Sequence, residues 1–174
     1  MQKKHTVLWF IILLLLAVTI LSSCKEDNMN SIKSSLNFSE FKLKNIDDIS
    51  LTIYYVSPLI LTRAPLSVDD LVHRYEENKV FINSSGLKEH IDLLNQIINT
   101  TLMPVENNSF LDARLYYVLE SDKDGKIFDV AMCASDGKSI FVNGNKVEMN
   151  DIFCKIVIPF LPEDIAKYYR SEQE

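Results

Sequence analysis

Glycine is scarce, with four residues in a chain of 174. A Gly-rich phosphate loop needs several closely spaced glycines so that backbone N–H groups can approach the ligand, and no such cluster is present. The chain also has no G-x-S-x-G elbow and no C-x-x-C pair, which removes common signatures of serine hydrolases and thiol redox proteins. Histidine is limited to His5, His73 and His90. Neither of the last two has both a carboxylate and a second histidine at helical ligand spacing, and Glu89 beside His90 faces elsewhere, because adjacent helix residues do not meet. No catalytic residue, metal ligand or cofactor is therefore assigned. Eighteen Lys and Arg against 24 Asp and Glu give a net charge of −6, and beyond Lys3 and Lys4 the cations are scattered singly. Phosphate backbones are bound by clustered cations, so nucleic acid is not an expected partner.

The 47% hydrophobic content is concentrated at the start. Lys3, Lys4 and His5 are followed by residues 7–21 without a charge, with residues 11–16 purely aliphatic. A basic start and a 15-residue apolar run read as the n- and h-regions of an export signal, since a permanent helical span needs about 20 apolar residues. The run closes on Leu21-Ser22-Ser23-Cys24, which resembles the lipobox of bacterial lipoproteins. That resemblance implies cleavage before Cys24 and transfer of a diacylglyceryl group to its thiol. Two or three acyl chains anchor firmly where one holds only marginally, so the implied partner is a membrane, through lipid on Cys24. The following Lys25-Glu26-Asp27-Asn28 is similar to the lysine-then-acidic export signal of surface lipoproteins in Bacteroidota-type bacteria. Aspartate is absent after the cysteine, so the enterobacterial retention signal is missing and an outer-membrane location at the cell envelope is expected. Without Lys3 and Lys4 the exported chain keeps 16 basic against 24 acidic residues, a net charge of −8. That balance suits solubility or a basic partner.

Three segments are expected: a signal peptide over 1–23, a lipidated cysteine and polar tether over 24–38, and one domain over 39–174. Roughly 14 flexible residues would hold the domain about 20 Å from the bilayer. Two readings of Cys133 and Cys154 stand. A disulfide would close a loop of about 20 residues and contribute on the order of 3 kcal/mol, while two separately buried thiols suit their apolar surroundings equally well.

Residues 49–56 alternate Leu51, Ile53 and Tyr55 with Ser50, Thr52 and Tyr54, the pattern of a half-buried strand. A second extended piece is expected over 59–62. Ser67 can cap a helix, with Asp70 completing the capping box and Leu66 stapling to Leu71. A short helix then reaches about Tyr75, and 79–82 read as a strand. Leu87, Ile91, Leu94, Ile97 and Ile98 recur at helical spacing and predict one amphipathic helix to about Asn99. Strands follow over 113–119 and 127–134, then a hairpin turning on Asn143-Gly144, a dipeptide that tolerates positive φ. Residues 151–158 fit a helix period although their β-branching favours a strand, and helix is chosen. Pro162, Glu163 and Asp164 start a last helix. The consecutive strands predict an α+β domain, an antiparallel meander with helices packed on one face.

Asp122-Lys123-Asp124-Gly125 shares part of a calcium-loop pattern, but aligning its glycine puts Ala131 at the bidentate position, so a hairpin turn is expected instead. The tyrosine pairs 54–55 and 116–117 place one ring on each sheet face, and 168–169 lies on the last helix. Exposed tyrosines suit protein or glycan recognition, which makes Tyr54, Tyr116 and Tyr168 the candidate binding surface. The anchor implied by the lipobox resemblance, the missing catalytic patterns and the paired tyrosines favour a non-enzymatic binding or accessory lipoprotein. An immunity or inhibitor lipoprotein neutralising a basic toxin or enzyme, and a hydrolase built from dispersed residues, are the alternatives.

Overall fold

A computed structural model describes residues 36–37, 46–105, 111–133, 139–148 and 150–170, all within a compact unit spanning Ser35–Glu174. The lipobox with Cys24 and the segment 1–23 lie outside the described residues. The first strand, β1 (Leu36–Asn37), falls inside the stretch expected to be tether, because it pairs antiparallel with β4 (Thr101–Leu102).

Alternation builds the main sheet. In β2 (Ile49–Tyr55), Ile49, Leu51 and Ile53 turn to the inner face and are buried, while Ser50, Thr52 and Tyr54 turn to the outer face. β3 (Lys79–Ile82) pairs with one side of β2 and β5 (Ala113–Ser121) with the other. β6 (Gly125–Cys133), β7 (Ile140–Val142) and β8 (Asn145–Val147) complete the antiparallel order β3-β2-β5-β6-β7-β8. The expected meander is its second half. Gly125, with φ of 74°, makes the β5–β6 turn, and Asn143 and Gly144, with φ of 49° and 76°, supply the two left-handed residues of the β7–β8 turn. The calcium-like pattern around Gly125 is thus a hairpin turn, as its flanking strands implied.

Helices cover the inner face. α1 (Val68–Arg74) is the exception, since it caps part of the outer one. It starts as its sequence predicts, with the Asp70 N–H donating to Ser67 Oγ at 3.0 Å and the Ser67 N–H donating to Asp70 Oδ2 at 3.0 Å. The single helix expected before Asn99 is instead three pieces: α2 (Ser84–Leu87), a 3-10 turn over Lys88–His90, and α3 (Ile91–Ile98). α4 (Ile152–Lys155), a 3-10 turn over Ile158–Phe160 and α5 (Glu163–Arg170) follow the sheet, so helix wins over strand at 152–155. Leu87, Leu94, Ile97, Phe153, Ile156 and Ile165 from these pieces join Leu51, Ile53, Leu115, Tyr117, Phe128 and Val130 in one inner core. Tyr117 Oη donates to the Phe153 carbonyl at 3.1 Å, which gives the buried phenol a partner and ties α4 to the sheet. The α+β expectation therefore holds.

One further local expectation fails. Residues 59–62 form no strand: the Ile60 N–H donates to the Ser57 carbonyl at 3.0 Å, closing a turn through Pro58 and Leu59. Of the two readings of Cys133 and Cys154, the structure has the separately buried thiols, with no disulfide between them. Successive strand residues point to opposite faces, and Cys154 Sγ lies 3.8 Å from Met132 Sδ in the inner core, while Cys133 packs outside with Ala131 and Phe141. The sheet itself separates the two thiols. Among the described residues no helix is long and apolar enough to cross a membrane.

Candidate functional site

Strand register writes the outer face as rows. Residues opposite one another share a face, so the pairings Tyr54↔Lys79 and Tyr54↔Tyr116 set Lys79, Tyr54 and Tyr116 side by side. The next row, from Thr52↔Phe81, Thr52↔Val118 and Val118↔Asp129, runs Phe81, Thr52, Val118, Asp129. The Tyr54 and Tyr116 rings stack with centroids 6.1 Å apart and planes at 27°, and Lys79 Nζ sits 5.4 Å from the Tyr54 centroid. A stack of this kind contributes about 1 kcal/mol beyond burial, and the cation a similar amount. Both rings are half-buried because Val68, Leu71 and Tyr75 from α1 and its flank pack the same cluster.

Phe81 breaks the pattern of its row. Thr52 and Val118 are buried, yet Phe81, on the edge strand, is 62% exposed. Asp129 closes the row and is paired with Lys126. Burial first, then the Asp129 carboxylate, pushes the Tyr116 phenol up to about 12. It remains a neutral hydrogen-bond donor and acceptor at physiological pH.

Of the three tyrosines expected to form a surface, the fold brings two together. Tyr168 belongs to α5, which packs into the inner core through Ile165 and Ala166, and its ring lies under Lys167 Nζ at 5.0 Å. One ring of each strand pair does face each way, with Tyr117 buried in the inner core and Tyr55 packed against it. His73 pairs with Asp69 one turn earlier at 3.4 Å, and the His90 ring meets Phe160 edge-on at 4.9 Å. Among the described residues no group of three or more His, Cys, Asp or Glu side chains is arranged to hold a metal ion.

A second feature escaped sequence reasoning. Arg114 is buried in β5 at a register shift between Ala113 and Leu115, and its guanidinium donates to Asp112 Oδ2 at 2.9 Å, to the Ile60 carbonyl at 2.9 Å and to Thr62 Oγ1 at 3.1 Å. Asp112 Oδ1 in turn accepts the Leu66 N–H at 2.9 Å. The pair thereby clamps both halves of the loop joining β2 to α1. Its signal in the sequence is slight: opposite charges two residues apart at the start of an otherwise apolar strand. No family model, no curated protein and no solved structure matches this chain.

Proposed function

We propose that the chain is a bacterial lipoprotein, lipidated on Cys24 and held at the outer membrane, whose folded unit is a non-enzymatic binding module that engages a protein partner through its outer sheet face. The observation that carries this reading is the stacked Tyr54–Tyr116 pair beside the exposed Phe81. Rigid aromatic rings concentrate binding energy at little entropic cost, and interface hot spots are enriched in tyrosine. Phe81 has no hydrogen-bonding atom, so it suits apolar burial against protein better than the polar edge of a sugar. The acidic balance adds electrostatic preference for a basic partner surface.

Site-specific photo-crosslinking in the native host tests it. A photoreactive phenylalanine analogue at Phe81 is expected to give a discrete adduct, whereas the same group at Lys123, on the β5–β6 turn, gives none. Tyr54→Ala should reduce the Phe81 adduct about tenfold, as loss of a hot-spot contact does. Equal adducts at the two positions would defeat the reading.

A further inference from the structure

We propose that the loop carrying Leu59, Ile60 and Leu61 is a membrane-docking element that enters the bilayer to which the chain is anchored; this rests on the lipidation of Cys24 proposed above. These three consecutive aliphatic side chains are 70%, 43% and 98% exposed. Single exposed apolar residues are normal on a protein surface, but a contiguous set marks an interaction site. The exposure is not the product of a slack segment. Besides the turn from the Ser57 carbonyl to the Ile60 N–H, the buried Arg114 guanidinium grips the loop backbone at Ile60 and the Thr62 hydroxyl. Asp112 holds the guanidinium from the other side. A loop fixed in this way keeps its apolar side chains in water by construction and has little ordering entropy to lose on docking.

Charge selects the occupant. The chain holds 24 acidic residues, yet residues 56–66 contain none, and their only charge is the exposed Arg63. Bacterial envelope membranes expose anionic phosphate headgroups, which repel acidic side chains but not a stretch whose one charge is a cation. Arg63 next to the aliphatic triplet matches the boundary between headgroup and acyl chain, where apolar side chains enter and a cation stays at the phosphates. A second copy of the same acidic chain offers negative charge to Arg63 but no acyl interior for the three aliphatic side chains. Anchoring through Cys24 raises the effective concentration of bilayer at the loop, so three side chains of modest individual affinity suffice.

The test uses the protein as its host processes it. The one tryptophan in the sequence, Trp9, lies in the segment 1–23 removed on lipidation, so Trp9→Phe with Leu61→Trp leaves a single indole reporter at position 61 whether or not that segment is cleaved. In phosphatidylethanolamine–phosphatidylglycerol vesicles, the emission is expected to shift to the blue and to be quenched at least twofold by acyl-chain-brominated lipid. Adding Leu59→Asp and Ile60→Asp should abolish the quenching, because charged side chains do not enter the acyl region. Water-like, unquenched emission in protein whose Cys24 carries the acyl mass would overturn the docking proposal and leave the anchor standing. Absence of the acyl mass would instead overturn the anchor. A crosslinked dimer through position 61, without quenching, would overturn docking in favour of self-association.

Discussion

On the inner face of the sheet, twenty-six buried residues among those described form one continuous cluster, whereas the outer face carries two small ones of four and three. The inner face is held by non-directional burial over many elements, so each contact is backed by others. The outer face depends on a few directional contacts: one capped helix, one stacked tyrosine pair and the Arg114–Asp112 clamp. Stability thus concentrates on one side of the sheet. The exposed apolar side chains, Phe81 and the aliphatic loop, belong to the outer face and to the connection its clamp holds, away from the main core.

Phe153→Ala is the strongest way to strain this contrast. The ring is fully buried where α4 meets the sheet, and its removal should cost about 3–5 kcal/mol, measured by urea unfolding. A cost below about 1 kcal/mol would mean that the inner face is not the main store of stability. Next in size is Arg114→Met, which leaves the Asp112 carboxylate without its cation and should cost about 3 kcal/mol. Its distinguishing mark is local: hydrogen exchange should accelerate at Leu66 and Leu71 well before Leu119 or Val130. Uniform acceleration would show that the outer face does not open by itself. Replacing Asp112 by Asn as well should recover part of the loss, because no uncompensated charge then remains.

The smallest effect belongs to the start of α1. Ser67→Ala removes the side-chain acceptor for the Asp70 N–H and should cost about 1 kcal/mol. Acid gives an independent check. Hydrogen bonds from the Ser67 backbone and hydroxyl hold the Asp70 carboxyl below its ordinary value of 3.8. A depressed folded value means that the stabilisation is present above pH 3.8 and lost as pH falls through the lower folded value. Amide protection in α1 should therefore decline below that pH in the native chain and decline much less in Asp70→Asn. Equal decline in both would assign the acid response to other carboxylates.

What the sequence determined by itself is local. Leu51 and Ile53 alternating with Thr52 and Tyr54 need only the two-residue period of a strand, and Asn143-Gly144 need only the positive φ of its turn. Ser67 and Asp70 find each other across three residues. All these interactions close within one turn or one pleat, so the residues that decide them are adjacent in the chain. Tertiary structure decided the rest. Residues 59–62 have the aliphatic content of a strand, but Pro58 begins a turn and Arg114, 54 positions from Ile60, claims the backbone that a neighbouring strand would have paired. Cys133 and Cys154 are close enough in sequence to bridge, yet alternation in β6 turns Met132 to the Cys154 side and Cys133 to the other. Tyr54 met Tyr116, and Tyr168 met neither, because strand register put the first two opposite each other while the third rides on a helix of the inner core. Register and face are set by which distant surfaces bury together, a property of the whole chain that no short window contains.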